Sequence, residues 1–369
     1  MTVLIAMDKF KDSITAGEAC QAVAKGIKKA GKEIKTIVHP VADGGEGSLE
    51  VIAPFTGARK IEVDIKGPRG NVSRSYYLLK DTRAYIELAL ASGLQMLPPA
   101  VRNPLFTSTI GTGMLIKDAI GRGAKEIYLF VGGSATNDAG TGILSELGYK
   151  FYDKKGQSLF PAGLYLSEIE TVDTSGVIIP PDIKMYVLTD VQNTLYGKQG
   201  AALVYAMQKG ASKEDAVFLD YGLRHFAGVI KRDFQKDIAN IKGGGAAGGV
   251  PAGLSAFMDV EIRSGIKEIL KITNFEKDLD KADTVITGEG KVDLQSLSGK
   301  AVSEVVKRAK AKGKNIALFA GSIDHEIAGK LEVQYYDAIV FHAKDMDDAL
   351  INAKKWLEQM GYDYGRKQL

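Results

Sequence analysis

The chain has 369 residues, of which 45% are hydrophobic and 25% are charged. This is the balance of an ordinary globular enzyme, and the length predicts two domains rather than one. The net charge of +3 comes without a long basic run, so we expect no nucleic-acid partner.

Cysteine usage and apolar runs narrow the class of protein further. The single cysteine, Cys20, excludes an internal disulfide and a cysteine-rich metal site, and its place on an apolar helix face predicts a buried thiol. The sequence has no apolar run of the roughly 18 residues that a transmembrane helix needs. The first residues, MTVLIAMDKFKDS, are typical of a strand rather than a signal peptide. We therefore expect a cytoplasmic protein without a membrane partner.

The first elements alternate between strand and helix. Residues 3–7 are a short apolar run of the buried-strand type. Thr15 and Glu18 have the spacing of a capping box, which predicts a helix up to Gly31. A second strand over 34–38 leads into a glycine-rich loop. This order is typical of the start of a doubly wound parallel sheet.

The middle of the chain combines two patterns. Three runs with turn residues between them predict antiparallel strands over 61–65, 72–79 and 84–88. From there strands and helices alternate again, with helices over about 108–121, 199–208 and 213–238 and strands over 126–131 and 185–188.

The C-terminal part alternates regularly, with strands over 284–286, 316–319 and 338–341 and helices over about 299–312 and 345–359. Because both ends share this pattern, we predict that 1–65 and 276–369 together form one doubly wound, Rossmann/flavodoxin-like α/β domain. A second α/β domain, residues 66–275, is inserted into it. We expect the active site in the cleft between the two.

Acidic residues follow the predicted strands, namely Asp8, Asp43, Asp138, Asp190 and Glu289. In open parallel sheets ligands bind beyond the carboxyl ends of the strands, where acids can hold Mg²⁺ or accept a proton. The glycine-rich loops there can offer N–H groups to phosphate, and four lysines supply positive charge nearby: Lys9, Lys11, Lys291 and Lys300. Together these features indicate phosphoryl transfer. For any single acid, a helix cap or a turn is the alternative role.

Other motifs are absent or ambiguous. The segment GGGAAG at 243–248 fits G-x-G-x-x-G, but it follows a helical stretch, so a packing turn or a phosphate-facing loop is favoured over a dinucleotide fingerprint. The sequence has neither a P-loop nor the protein-kinase motifs. The four histidines show no ligand spacing and are interpreted as structural or solvent-facing.

Six segments resemble the type-1 family of bacterial glycerate kinases: DKFKDS at 8–13, ADGGEG at 42–47, GGSATND at 132–138, TDVQN at 189–193, GGGAAG at 243–248 and TGEGKVDLQS at 287–296. The resemblance covers essentially the whole chain. It implies a two-domain kinase that uses ATP and Mg²⁺ to phosphorylate D-glycerate, giving 2-phosphoglycerate. The family usually has Gly where Asp12 and Ala139 stand and Pro where Thr194 stands.

Several alternatives stay open. The product could be 3-phosphoglycerate, and the substrate could be another small hydroxy acid, acted on by a kinase or a phosphatase. A nucleotide-binding module without chemistry is the alternative from outside the enzymes, although it would not need the strand-end carboxylates. Either a monomer or a homodimer is compatible with the sequence.

The candidate residues follow from their loops. We predict Asp43 as the general base, with capping of a helix near Ser48 as the alternative, and Mg²⁺ bound by Asp190 and Glu289 or by Asp293. The full set has Asp43, Lys9 and Asp190 as catalytic residues; Lys11, Ser13, Gly44, Gly45, Gly133, Ser134, Asn137, Asp138, Asn193, Gly288 and Lys291 at substrate and phosphate; and Asp190, Glu289 and Asp293 at the metal.

Overall fold

The structure is a computed structural model that describes residues 1–31, 33–297 and 300–367. Its strands are β1 (Thr2–Met7), β2 (Lys35–Val38), β3 (Arg59–Lys66), β4 (Val72–Lys80), β5 (Arg83–Glu87), β6 (Glu126–Phe130), β7 (Lys150–Tyr152), β8 (Thr171–Asp173), β9 (Lys184–Leu188), β10 (Val260–Arg263), β11 (Thr284–Gly288), β12 (Lys291–Val292), β13 (Asn315–Ala320), β14 (Ser322–Ile323) and β15 (Tyr335–Ala338).

The helices are α1 (Ala16–Lys29), α2 (Ser48–Thr56), α3 (Ala89–Ser92), α4 (Ile110–Gly121), α5 (Thr141–Glu146), α6 (Ala201–Tyr205), α7 (Lys213–Phe234), α8 (Ala246–Ser255), α9 (Gly265–Ile272), α10 (Phe275–Lys281), α11 (Ala301–Ala311), α12 (His325–Leu331), α13 (Met346–Ile351) and α14 (Ala353–Lys367). None of the described helices is both long enough and apolar enough to cross a membrane.

Internal contacts divide the chain into two units. The first unit holds residues 1–43, 50–56 and those from 265 onward, and the second holds 44–49 and 57–264. The main sheet of the first unit has the order β15-β13-β11-β1-β2 with every neighbouring pair parallel. Strands from both ends of the chain therefore pair in one parallel sheet.

The central strand β1 explains why this sheet is covered on both faces. Leu4 and Ala6 belong to one hydrophobic cluster, with α9, α10 and α11, whereas Val3 and Ile5 belong to another, with α1 and α14. Successive side chains of a strand point to opposite faces, so a continuous apolar run buries both. The predicted doubly wound α/β fold, formed by both chain ends, is confirmed.

Helix α1 begins with the predicted capping box. The backbone N–H of Glu18 donates to Thr15 Oγ1 at 3.3 Å, and that of Thr15 donates to Glu18 Oε2 at 3.1 Å. A Cβ on Gly26 would lie 1.9 Å from the Glu358 carbonyl oxygen, so glycine allows α1 and α14 to pack closely. Cys20 is fully buried on this helix, as predicted.

The second unit contains a sheet of order β10-β9-β6-β5-β4-β3. Its β10, β9, β6 and β5 are parallel neighbours, whereas β5, β4 and β3 pair antiparallel, which confirms the predicted change of pattern after residue 60. One hydrophobic cluster, which includes Ile86, Leu129 and Val187 from three of these strands, forms its core.

The glycine-rich segment at 243–248 is a packing feature. Ala247, Gly248 and Gly249 have positive φ values of 50°, 72° and 96° within α8. A Cβ on Gly248 would lie 2.3 Å from the Cα of Asn137, so this turn packs directly on the loop at 132–138. The packing turn, one of the two alternatives left open, is observed, and the phosphate-facing loop stays a prediction.

Several predicted boundaries are wrong. The predicted strand at 338–341 is instead the end of β15 followed by a 3₁₀ turn over Ile339–Phe341. The predicted helix at 345–359 is two helices, α13 and α14. The helix predicted over 199–208 ends as α6 at Tyr205, before a 3₁₀ turn, and that over 213–238 stops at Phe234.

Other departures come from backbone conformation and from the limits of the described residues. Gln235 ends α7 because it adopts a left-handed conformation, with φ of 55°. The predicted start of α11 at 299 lies outside the described residues. Both positions where the resembled family usually has Gly have positive φ, namely Asp12 at 60° and Ala139 at 51°.

Candidate functional site

A cavity of about 410 Å³ opens in the first unit beyond the carboxyl ends of the parallel strands. The loops after β1, β11 and β13 form it, together with Asp43 and residues of the last helices. The predicted site residues that line it are Lys9, Lys11, Ser13, Asp43, Glu289, Lys291 and Asp293, and Asp8 and Lys300 also do so. The sheet therefore brings together segments from both ends of the chain, as the strand-end rule predicts.

Carboxylates crowd the inner end of this cavity. Burial and, next to it, the repulsion of Asp43 raise the pKa of Asp8 to about 7. Burial also raises the pKa of Glu289, and Asp43 and Asp293 add to the effect, whereas a hydrogen bond from the Ser296 side chain and the charge of Lys300 oppose it. The two acids thus face a common negative neighbour, Asp43, and a cation bound here would relieve that repulsion.

The loop after β1 presents its lysines from a tight turn. The backbone N–H of Lys9 donates to Asp8 Oδ1 at 2.6 Å, and Phe10 and Ile14 close the turn with N–H···O bonds of 3.0 Å in both directions. Lys11 is exposed at the tip of this loop. Ser13 Oγ donates to the Leu350 carbonyl at 2.5 Å, which ties the loop to α13.

The loop after β11 depends on glycine for close backbone approach. A Cβ on Gly288 would lie 1.6 Å from the Phe319 carbonyl oxygen of β13, and one on Gly321 would lie 2.3 Å from the Gly290 carbonyl oxygen. The Gly288 carbonyl accepts the N–H of Asp8 at 2.9 Å. Gly288, predicted at phosphate, is thus observed to fix the distance between the loops that carry Asp8 and Glu289.

The start of α2 is bound by a carboxylate from another element. Glu87 Oε1 accepts the N–H of Gly47 at 2.9 Å, and Glu87 Oε2 accepts the N–H of Leu49 at 3.1 Å. The helix has no side-chain cap bond from its own N-cap, Gly47. Sequence reasoning missed this role of Glu87, and the general-base role of Asp43 stays a prediction.

The glycine-rich loops at 44–47 and 132–133 contact each other in the second unit. A Cβ on Gly132 would lie 2.4 Å from the Cα of Gly45, and the Gly132 N–H donates to the Gly44 carbonyl at 3.3 Å. Gly44 and Gly133 have φ of 89° and 72°. Backbone packing and positive φ give these glycines a structural role. Their contact with phosphate or substrate stays a prediction.

The remaining residues predicted at 132–138 surround a buried lysine. Lys209 donates from Nζ to Ser134 Oγ at 2.8 Å and to the Thr136 carbonyl at 2.7 Å. Burial lowers the pKa of Lys209 to about 7, and Asp138 opposes that shift. Lys209 was not predicted, because a lone lysine near the end of an apolar helix gives no pattern.

Asp138 is buried and serves the backbone around it. Its oxygens accept the N–H and the Oγ1–H of Thr109, both at 2.8 Å, and the N–H groups of Gly140 and Gly142 at 3.2 and 3.3 Å. Burial raises its pKa, whereas these four donors favour the ionised form. With four donors around it, Asp138 is interpreted as a carboxylate that positions the loop.

The other predicted residues of the second unit lie on the loop after β9. Asn193 donates from Nδ2 to the Gln199 carbonyl at 2.7 Å and accepts from the Tyr205 hydroxyl at 2.8 Å, so both ends of its amide are engaged. Asp190 Oδ1 accepts from Ser264 Oγ at 2.6 Å.

A divalent metal suits the carboxylates of the first unit. In the part of the chain that is described, no three His, Cys, Asp or Glu side chains are grouped as a ready-made metal site. Mg²⁺ bound with a nucleotide, however, needs only one or two carboxylates, because phosphate oxygens and water complete its octahedron. Glu289 Oε1 is buried without a hydrogen-bond partner among the described residues. This oxygen is thus a hard ligand that can still coordinate a cation.

His39 has a buried, hydrogen-bonded environment. His39 is fully buried and contacts Asp278 Oδ2 at 3.0 Å and Thr273 Oγ1 at 2.9 Å. Burial lowers its pKa, with Asp278 opposing the shift. The predicted structural role fits this environment.

Comparison with known families decides what class of protein carries this cavity. A model of the glycerate kinase family matches residues 3–367. The chain belongs to the glycerate kinase family. The resemblance drawn from the six loop segments and the prediction of a kinase are thereby confirmed.

Individual members of the glycerate kinase family are similar over nearly the whole chain. The glycerate kinase of Halalkalibacterium halodurans is 40% identical over 356 residues, which cover 95% of this chain and 90% of that protein. The glycerate 2-kinase of Escherichia coli K12 is 39% identical over 332 residues, covering 89% and 87%. A crystal structure named as glycerate kinase 2 from Salmonella typhimurium LT2 matches with a TM-score of 0.82 at 35% identity, covering 99% and 97%.

Proposed function

We propose that this protein is a cytoplasmic enzyme that transfers the γ-phosphate of ATP to the C2 hydroxyl of D-glycerate, giving 2-phosphoglycerate and ADP. The observation that carries the proposal is the cavity of the first unit, where strand-end carboxylates and lysines converge in a chain of the glycerate kinase family. The name of the Escherichia coli relative, glycerate 2-kinase, supports the C2 position over C3.

Asp43 is the proposed general base. It takes the hydroxyl proton as the glycerate oxygen bonds to the γ-phosphorus, while the electron pair of the breaking P–O bond leaves with ADP. Asp43 lines the cavity and is only half-buried, so a substrate hydroxyl can reach it. The N–H groups of Gly47 and Leu49 at the start of α2 are already bound by the Glu87 carboxylate.

Positive charge around the transferring phosphate is the second requirement, because three negative oxygens must be stabilised near carboxylates. Lys9 and Lys11 line the cavity from the loop after β1, Lys291 from β12, and Lys300 from the N-cap of α11. We propose that Lys9 and Lys11 bind the phosphate or the substrate carboxylate.

The proposed ligands of Mg²⁺ are Glu289 and Asp293 in this cavity. Asp190, in the second unit, stays a prediction as a ligand and catalytic residue. When bound, Mg²⁺ neutralises the oxygens of the phosphate being transferred. The buried, unpartnered Glu289 Oε1 supports this assignment.

The experiment is an assay of ADP release with D-glycerate, run beside lactate and glycolate, on the wild type and on Asp43→Asn. We expect glycerate to be the preferred substrate and the variant to lose at least about a hundredfold in kcat with an unchanged Tm, because a general base contributes about 10²–10⁴-fold. Coupling to enolase without phosphoglycerate mutase identifies the product, since only the 2-phospho isomer is used directly.

Asp12→Asn is the matched control. It makes the same chemical change four residues after Asp8, at an exposed position whose φ of 60° Asn also tolerates. We expect it to keep the wild-type kcat. Near-normal kcat in Asp43→Asn would refute the base assignment, and ADP release that does not respond to glycerate would refute the substrate.

A further inference from the structure

The cavity of the first unit has an apolar wall in addition to its acids and lysines. The charged residues that line the cavity come from positions 8–11, 43 and 289–300. The apolar wall comes from a later stretch of the same unit, the 3₁₀ turn after β15, helix α13 and the first residue of α14: Ile339, Val340, Met346, Ala349, Leu350 and Ala353. One cavity thus offers two chemically different surfaces.

The apolar wall combines a buried floor with an exposed rim. Ile339, Ala349 and Ala353 are buried and belong to the hydrophobic cluster that also contains residues of α1 and α14. Met346 and Leu350, in contrast, are 61% and 41% exposed. A single exposed apolar side chain is ordinary. Two of them that line a cavity above a buried apolar floor form a surface that a ligand can cover.

Hydrogen bonds hold the wall next to the loop that carries Lys9 and Lys11. Ser13 Oγ, at the end of that loop, donates to the Leu350 carbonyl of α13 at 2.5 Å. The Val340 N–H donates at 3.1 Å to the carbonyl of Gly321, which also lines the cavity. The apolar wall and the lysines are therefore fixed relative to each other, and a surface fixed in advance binds a ligand at a lower ordering cost.

Of the two substrates of the proposed reaction, only the nucleotide suits both surfaces. Glycerate is a small acid that carries hydroxyl groups and has no large apolar face. ATP has a polyanionic chain at one end and a flat aromatic ring at the other. The cavity of about 410 Å³ lies in the range of about 300–1,000 Å³ that is typical of sites for larger organic ligands. It has room for more than a three-carbon acid.

We propose that the apolar wall binds the adenine ring of ATP, with Met346 and Leu350 as the side chains that cover it. The triphosphate then extends towards Lys9 and Lys11. The flexible thioether of Met346 suits this position, because sulfur makes favourable contacts with aromatic rings. The inference rests on the proposed function, since it assigns the base of the phosphate donor to a surface within the same cavity.

The test is the double variant Met346→Ala/Leu350→Ala, assayed beside the two single variants. We expect the double variant to raise the KM and the Kd for ATP by about fivefold or more, because it removes apolar surface that the ring covers. The KM for glycerate should change by less than about twofold. Both positions are exposed and alanine is a strong helix former, so the Tm should stay close to that of the wild type.

A second ligand separates the base from the phosphates. Tripolyphosphate has the triphosphate chain without the nucleoside, and its Kd is measured by titration calorimetry with Mg²⁺, as is that of ATP without glycerate. We expect the wild type to bind ATP more tightly than tripolyphosphate, and the double variant to lose most of this difference while its Kd for tripolyphosphate stays the same.

Ile351→Ala is the matched control. Ile351 is 80% exposed and follows Leu350 directly in α13, but neighbouring residues of a helix point in different directions. We expect this variant to keep the wild-type Kd for ATP and for tripolyphosphate. A loss of ATP binding as large as that of Leu350→Ala would mean a general effect on α13 and would overturn the inference.

The remaining outcomes separate this inference from the function on which it rests. If the wild type neither binds ATP nor phosphorylates glycerate, the proposed function fails. If the wild type is active and the double variant binds ATP as tightly, only the base site is wrong. Equal weakening of ATP and tripolyphosphate would mean that α13 acts through the lysine loop, and a raised KM for glycerate alone would mean that the wall holds the acceptor; either result overturns the inference.

Discussion

Gly288 ends β11 at the contact that holds the two acid-bearing loops of the first unit together. A Cβ at this position would lie 1.6 Å from the Phe319 carbonyl oxygen, whereas real Cβ contacts stay beyond about 3 Å, so the backbone must move by about 1.4 Å in Gly288→Ala. A shift of that size breaks neighbouring bonds such as Asp8 N to Gly288 O, at 2.9 Å, and Gly321 N to Glu289 O, at 3.1 Å.

The cost of Gly288→Ala can be bounded from these contacts. Overpacking costs about 1–3 kcal/mol and each lost backbone hydrogen bond about 0.5–1.5 kcal/mol, against a gain of about 0.5–1 kcal/mol from the stiffer unfolded chain. We therefore expect a loss of about 2 kcal/mol or more in the free energy of unfolding. Because Glu289 and Asp8 would shift by an ångström or more, kcat should also fall by about a hundredfold.

Urea unfolding followed by tryptophan fluorescence measures this loss, since Trp356 is the single tryptophan of the chain and belongs to the first unit, like Gly288. Gly329→Ala is the matched control in that unit. Gly329 lies in α12 without a positive φ, and no described atom comes within 4 Å of the place that an added Cβ would take, so alanine should stabilise the helix slightly. An unfolding midpoint of Gly288→Ala equal to that of the wild type would refute the close-contact reasoning.

Two further predictions concern charge and metal at the cavity of the first unit. Lys9→Met and Lys11→Met should each be assayed, and at least one should raise KM or lower kcat by tenfold; if neither does, the loop after β1 does not bind substrate. Excess chelator should abolish turnover, and Mg²⁺ or Mn²⁺ should restore it; full activity in chelator would exclude the metal assignment.

The parallel sheet of the first unit could be predicted because its strands carry their own signal. A strand buried on both faces, such as β1, is a continuous apolar run, and the acids come directly after it. The end of β15 was misplaced because the more apolar run after it looked more like a strand. There the Val340 N–H donates to the Gly321 carbonyl at 3.1 Å and the Ala343 N–H to the Ile339 carbonyl at 2.9 Å, so the chain turns.

The candidate site was predictable only where its residues follow strands. Asp8, Asp43 and Glu289 meet in one cavity because parallel strands end at the same edge of a sheet. No such rule predicts the contacts of Lys209 and Glu87. Lys209 bonds a loop more than 70 residues earlier, and Glu87 binds the start of a helix about 40 residues earlier. Contacts of that kind depend on tertiary packing, which local spacing does not record.

The glycine-rich loops have a packing role in addition to the phosphate binding that their sequence predicts. Glycine before a helix is typical of phosphate binding, yet Gly132, Gly248 and Gly288 each face another backbone at a distance that no Cβ could occupy. Close packing of loop on loop leaves the polar side chains between them, such as Ser134 and Asn137, little freedom to rearrange.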